Sequence, residues 1–320
     1  MSAMLQIVAP IFAVILAGYL FALWRGVDKA GTRLLNEYVL YGALPALLFV
    51  AVARADPAEL QQWSFMGATL AGIAAAFVLG VLAARLGGTA MPQATIPAMA
   101  ASYGTTGYMG VPILITALGT GAAVPAAIAT ILHNVPVIMT VILLNDLLSR
   151  RADGGAGGAA AVAGALKATL TNPLTVAVVA GVVVSVAGVA LPASLARFAD
   201  FLGAAAGPTA LFALGLGLAQ LDASALLDGR RIARILPLIV IKVVIQPLVT
   251  FAVAIYLLGM DPTDLWFVAA LIMAAQPIGA GVFVFASKYR HFEDETSVAI
   301  IASLIVTLVT LPILLAIYAS

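Results

Sequence analysis

Ala98-Met-Ala-Ala-Ser-Tyr-Gly-Thr-Thr-Gly-Tyr-Met-Gly-Val-Pro112 lies inside a long apolar stretch, yet it does not read as one unbroken helix. Glycine costs a helix interior about 1 kcal/mol and proline about 3, and Gly104, Gly107, Gly110 and Pro112 follow in quick succession. Ser102, Tyr103, Thr105 and Thr106 set hydroxyls beside the break. A second interruption, Ala274-Ala-Gln-Pro-Ile-Gly-Ala-Gly281, carries Gln276, Pro277, Gly279 and Gly281. Inside lipid, irregular backbone survives only where protein buries it or where it lines a cavity. Broken spans at corresponding places in two halves of a chain point to a transporter's binding site. Two proline kinks that relieve packing strain are the plainer reading; the crowding of small residues at both breaks favours the site.

The 320-residue chain is 63% hydrophobic and 9% charged, with a mean hydropathy of +1.14. A soluble domain could not hide that much apolar surface, so the sequence describes an integral membrane protein with the bilayer as its main partner. Its apolar runs are about 20 residues long without period-2 alternation, which selects a helical bundle over a barrel. The chain has no cysteine, which removes disulfides, thiolate metal sites and cysteine nucleophiles. No basic cluster suggests nucleic acid. The first apolar run precedes Arg25, Lys29 and Arg33, the reverse of a cleaved signal peptide, so it is expected to be the first span.

Ten spans are expected: Leu5–Trp24, Leu34–Ala53, Phe65–Arg85, Ile96–Leu118 (broken), Ala122–Leu148, Ala168–Leu191, Leu195–Gln220, Ile232–Leu258, Asp264–Ser287 (broken) and Thr296–Ala319. The glycine-rich run from Arg150 to Gly158 divides them into a first five-helix repeat over 1–150, a linker over 151–166 and a second repeat over 167–320. Pro10, Ala17, Gly18, Pro45 and Phe49 recur at one shared offset as Pro173, Ala180, Gly181, Pro208 and Phe212. An odd number of spans per half makes the second repeat inverted. Of the 15 lysines and arginines, all but Arg54, Arg197 and Lys242 fall after odd-numbered spans. By the positive-inside rule those loops are cytoplasmic and both termini lie outside.

Lys242 lies within the eighth span, in Leu238-Ile-Val-Ile-Lys-Val-Val-Ile-Gln-Pro247. An intramembrane lysine costs at least about 2.5–3.5 kcal/mol on insertion scales and is a functional candidate. Gln246 follows at i+4 on the same face, which argues against simple snorkelling. The later half-helices begin near the midplane, with free N–H groups expected near Tyr108–Gly110 and Ile278–Gly281. Such ends bind anions, and Lys242 either reinforces that preference or balances the negative ends of the opposing half-helices. His133 reads as a hydrogen-bonded core residue or a proton relay; Asn134 is the better candidate to touch substrate. No Asp or Glu lies at mid-span, since Glu37, Asp146, Asp200 and Asp264 sit near span ends. Neither a metalloprotease motif nor a nucleophile motif is present, so no enzyme, metal or cofactor is expected.

Asn36 through Phe49, Ser102 through Pro112, Ile241 through Pro247, and Ala275-Gln-Pro277 with Ala286-Ser-Lys-Tyr289 together resemble the auxin efflux carrier family, the bacterial relatives of plant PIN-type transporters, over essentially the whole chain. The resemblance implies ten helices in two inverted repeats, as in bile-acid symporters and sodium–proton antiporters. It implies a scaffold from spans 1, 2, 6 and 7 that can dimerise, and a transport domain from spans 3–5 and 8–10. Spans 4 and 9 would cross at the substrate, an organic anion such as malonate or malate, moved by an elevator-like step in the bacterial inner membrane. Many relatives carry an asparagine in each crossover, where this chain has Thr105 and Gly281. The candidate substrate contacts are therefore Ser102, Thr105, Thr106, Tyr108, Asn134, Gln276, Gly279 and Gly281. Lys242, His133 and Gln246 are candidates for charge and coupling. Gly104, Gly107, Gly110, Pro112 and Pro277 form the crossover hinge. The alternative is a sodium-coupled symporter of the bile-acid type.

Overall fold

The computed structural model describes residues 2–58, 60–153, 167, 171–220 and 228–318. Regular structure among them is helical throughout, without a strand; one isolated antiparallel bridge joins Gly104 to Ile278. The first half contains α1 (Ser2–Arg25), α2 (Lys29–Tyr38), a π turn over Val39–Ala43, α3 (Leu44–Arg54) and α4 (Trp63–Leu86). It continues with α5 (Thr95–Ser102), a π turn over Thr106–Gly110, α6 (Val111–Leu118) and α7 (Ala123–Asp153). The second half contains α8 (Pro173–Val186), α9 (Ala193–Ala204), α10 (Ala206–Leu218), α11 (Gly229–Val240), a π turn over Ile241–Ile245 and α12 (Gln246–Ala252). It ends with α13 (Leu265–Ala274), α14 (Gly281–Tyr289) and α15 (Glu293–Tyr318).

Among the described residues, Lys29–Arg54, Trp63–Leu86, Thr120–Asn145, Ala193–Leu218, Arg231–Leu257 and Glu293–Tyr318 are long and apolar enough to cross a membrane. Shorter apolar helices cover Ala13–Arg25, Thr106–Leu118, Pro173–Val186 and Leu265–Ala274. The outside of the bundle is greasy: Leu23, Val183, Phe198, Phe201 and Tyr256 are all exposed. Hydrocarbon is the only solvent in which that exterior is comfortable.

Local chemistry sets the helix ends. Asp28 caps α2 by accepting the Gly31 N–H at 2.8 Å, and Asp264 caps α13 by accepting from Trp266 at 3.1 Å. Just before α13, the backbone N–H of Thr263 and then its hydroxyl bind the Asp261 carboxylate and hold it below the usual carboxylate range. Glu293, Asp294 and Glu295 open α15 and complement its positive dipole end. α8 is shorter than the sixth span expected at Ala168–Leu191. Asn172 caps it, Pro173 occupies its first turn, and it stops at Val186, ahead of Gly188 at φ 63°. α7 runs through Asp153, past the repeat boundary placed at 150; residues 154–166, nearly all of the expected linker, lie outside the described residues.

The recurring residues meet crosswise. Gly18 on α1 packs against Phe212 on α10 so closely that a Cβ would stand 2.1 Å from the Phe212 carbonyl oxygen. Gly181 on α8 packs against Phe49 on α3, where a Cβ would stand 2.9 Å from the equivalent oxygen. Small residues admit this backbone approach, the main source of helix association in lipid. Pro10 and Pro173 do not match in the same way, since Pro10 lies inside α1 and Pro173 begins α8.

Candidate functional site

The two interruptions cross in extended backbone. The Thr105 N–H donates to the Pro277 carbonyl at 2.9 Å, and the Gly279 N–H donates to the Tyr103 carbonyl at 3.0 Å. The Thr105 hydroxyl adds a bond to the Ile278 carbonyl at 3.1 Å. Ser303 on α15 completes the crossing by accepting the Ile278 N–H at 3.0 Å while donating to Ile300. Glycine is needed at Gly279, where a Cβ would lie 2.6 Å from the Tyr103 ring, and at Gly281, where one would lie 2.9 Å from the Tyr103 hydroxyl. Ser303→Ala is expected to strand the buried Ile278 N–H, a loss of about 1–3 kcal/mol. Thermal unfolding in detergent will read this as a lowered melting temperature, with Ser297→Ala on the same helix as the neutral reference.

Free N–H groups occur on the far side of each break, displaced toward Thr106 at the first and confined to the later part of the expected Ile278–Gly281 at the second. The first π turn begins at Thr106, and Met109 and Gly110 both donate to Thr105. Thr106, Gly107 and Tyr108 therefore carry the N–H groups without an acceptor among the described residues. At the second break Ile278 and Gly279 are already engaged, which leaves Ala280 and Gly281. The Thr106 hydroxyl is buried without a partner.

Lys242 lies on the opposite ends of the half-helices. It is fully buried in the π turn over Ile241–Ile245, and its Nζ donates to the Ala274 carbonyl at 2.7 Å, the last residue of α13. A Cβ at Gly104, two residues past the end of α5, would stand 3.3 Å from both Cε and Nζ. The ammonium thus touches the C-terminal regions of α5 and α13 together. Each helix C-terminus carries roughly half a negative charge, so one lysine matches the pair. Among the described residues Lys242 is the one lysine, arginine, aspartate or glutamate that is buried. With the negative ends neutralised, the uncompensated charge at the crossing is the positive one at Thr106–Tyr108 and Ala280–Gly281.

The other candidates divide by distance from this centre. Gln276 packs beside Gly104 and Gly110; its amide nitrogen donates to Ile272 at 2.9 Å and its oxygen is buried without a partner. His133 is fully buried with both ring nitrogens unpartnered. Gln246 is fully buried with both amide atoms unpartnered, as is the Thr250 hydroxyl one turn on. The Ser102 hydroxyl is engaged locally, donating to Ala98 at 2.9 Å. Gly107 faces Leu174 of α8 and Thr130 of α7, and Gly110 faces Met273. Pro112 sits in the first turn of α6, where its missing N–H costs nothing. Asn134 is buried on α7.

Three polar residues join the arrangement without having been singled out. Asn36 on α2 accepts the Tyr108 hydroxyl hydrogen, tying the first crossover to the helix that precedes α3. Asn145 on α7 donates to Thr95 at 2.6 Å and anchors the start of α5. Ser303 holds Ile278 as described. Serine and asparagine inside apolar helices are common enough that only the fold reveals these partners.

Comparison with known proteins places the chain beside carriers. The family described as membrane transport protein matches residues 3–157 and 160–315. A curated relative from Rhizobium meliloti (strain 1021), named "Putative malonate transporter", is 31% identical over 318 residues, covering 97% of this chain and 94% of its own length.

Proposed function

The chain belongs to the membrane transport protein family, the group of auxin efflux carriers and PIN-like proteins, and we propose that it is a secondary carrier of small organic anions, with malonate or malate as the preferred substrates. The observation that carries this reading is the division of charge at the crossing. Lys242 cancels the negative helix ends, while the N–H groups of Thr106, Gly107 and Tyr108 stay free for a carboxylate. The malonate relative supports the substrate class. Thr106, Gln276 and Gly281 would line this position from the two breaks, with Asn134 of α7 as a further candidate contact.

The wider proposal is a ten-span carrier with two inverted repeats in the bacterial inner membrane and both termini outside. The crosswise contacts of Gly18 with Phe212 and Gly181 with Phe49 support the repeat. A scaffold of α1–α3 and α8–α10 would hold a transport domain of α4–α7 and α11–α15 that moves elevator-fashion. Tyr108 and Leu174 lie on the seam between them, through Asn36 and Gly107. Lys242 takes the place at the negative helix ends that a symported sodium ion would need, so transport should be indifferent to sodium.

The test is flux of labelled malonate into liposomes, with sodium and membrane potential varied independently. Saturable flux that a membrane potential alters and sodium does not is the expected result. Thr106→Val, which removes one buried hydroxyl, is expected to raise KM about ten- to a hundredfold, the worth of a hydrogen bond to a charged group. Absence of flux with any small dicarboxylate would remove the substrate reading, and a strict sodium requirement would replace it with the symporter.

A further inference from the structure

A cavity of about 880 Å³ opens at the end of the bundle that carries Arg234, away from the crossing. Thr89, Gln93, Arg234, His291 and Glu295 give it a polar rim; Ala84, Pro97, Pro237 and Leu238 lie on its apolar side. It is walled by α4, α5, α11 and the segments leading into them and into α15, so the seam with α1–α3 and α8–α10 takes no part in it.

The apolar wall points at Lys242. Ala84, Pro97 and Leu238 belong to three different helices, and one turn deeper on the same face each is followed by Gly80, Ala101 and Lys242. Gly80 and Ala101 are in reach of each other, since a Cβ at Gly80 would stand 2.8 Å from Ala101, and Gly104, three residues past Ala101, abuts the lysine ammonium. One helical turn is about 5.4 Å, so Ala101 and the Lys242 backbone lie one turn below the cavity floor, and Gly104, which the ammonium abuts, lies a further turn in, seven residues past Pro97. The ammonium has three donors, and one of them is engaged, at Ala274.

We propose that this cavity is a water vestibule serving Lys242, through which the ammonium is hydrated and exchanges its proton with one side of the membrane, on a route separate from that of the substrate. A proton leaving Nζ passes to vestibule water and its electron pair stays on nitrogen. Gly104 abuts the lysine and Gln276 packs beside Gly104, and His133 is buried on α7 with both ring nitrogens unpartnered. At the rim Arg234 pairs with Glu295 at 3.1 Å, and His291 keeps a buried Nε2 without a partner. None of these is a carboxylate beside the ammonium, so the proton's available acceptors are vestibule water and the unpartnered imidazole of His133. The inference rests on the carrier reading for its purpose, not for its geometry.

The chain contains no cysteine, so single cysteines report without background. A small charged thiosulfonate reagent, applied from the Arg234 side of reconstituted protein, should modify Lys242→Cys and Ala101→Cys at least ten times faster than Leu48→Cys, which is fully buried elsewhere. Adding Leu238→Trp should slow both reactions at least tenfold. Ala101→Cys replaces one small side chain by another and keeps the test valid where Lys242→Cys fails to fold. Labelling no faster than at Leu48→Cys, or unaffected by Leu238→Trp, would overturn the vestibule. Labelling requires no transport, so loss of the malonate reading would leave this result standing.

Discussion

Lys242→Ala is expected to lower malonate flux by about two to four decades. Removing one partner from a buried charged interaction costs roughly 3–5 kcal/mol, and about 1.4 kcal/mol corresponds to a factor of ten. Here the partners left behind are the Ala274 carbonyl and the paired C-terminal ends of α5 and α13, with no other buried lysine or arginine among the described residues to replace the charge. Flux in liposomes measures the loss, and thermal unfolding in detergent separates a misfolded protein from an inactive one. A telling addition is sodium. A lysine truncated to alanine leaves room beside two negative helix ends, so partial recovery of stability in sodium would identify the ammonium as a tethered cation. Near-normal flux in Lys242→Ala would show that the charge has no role in transport.

Gly18→Ala and Gly215→Ala are expected to be the most damaging single-methyl changes in the protein. A Cβ at Gly18 would stand 2.1 Å from the Phe212 carbonyl oxygen, and one at Gly215 would stand 2.0 Å from that of Ile15. Both obstacles are main chain, which cannot rotate away, so α1 and α10 must move apart. Overpacking of this kind costs about 1–3 kcal/mol, occasionally more, and the tight contact places both sites at the upper end. Gly217→Ala is the control. It lies on the same helix with nothing within 4 Å of its Cβ, and gains about 1 kcal/mol of helix propensity. Melting temperatures should fall for the first two and hold or rise for the third. Equal behaviour of all three would mean that α1 and α10 do not pack as described.

The breaks themselves were legible because glycine and proline act through the backbone, whatever surrounds them. Gly104, Pro277 and Gly279 announce an interruption in any apolar segment, and the structure places both interruptions against each other. Lys242 was legible as a buried charge for a similar reason, since a charge in lipid needs a partner wherever it is. Its partner was not, because a main-chain carbonyl such as that of Ala274 has no signature in sequence. Two opposite roles stood open for the lysine, and the 2.7 Å contact to Ala274 supports the proposal that it balances the negative helix ends. At the first break the free N–H groups are displaced by two residues for a related reason: whether a helix resumes at Thr106 or Tyr108 depends on a π turn, a matter of fit to neighbours. Ser303, Asn145 and Asn36 were invisible as site residues because their value lies in partners distant along the chain.

The crosswise meeting of Gly18 with Phe212 and Gly181 with Phe49 also governs the order in which the protein can be made. A ribosome delivers α1 long before α10, so the grooved face of α1 must wait in lipid, unmatched, while most of the chain is still being synthesised. α3 waits for α8 in the same way. Neither half can finish alone, because the surface that closes each one is encoded in the other. Quality control in the membrane will therefore see an exposed glycine face on every nascent copy, and a copy truncated after α7 keeps that face permanently.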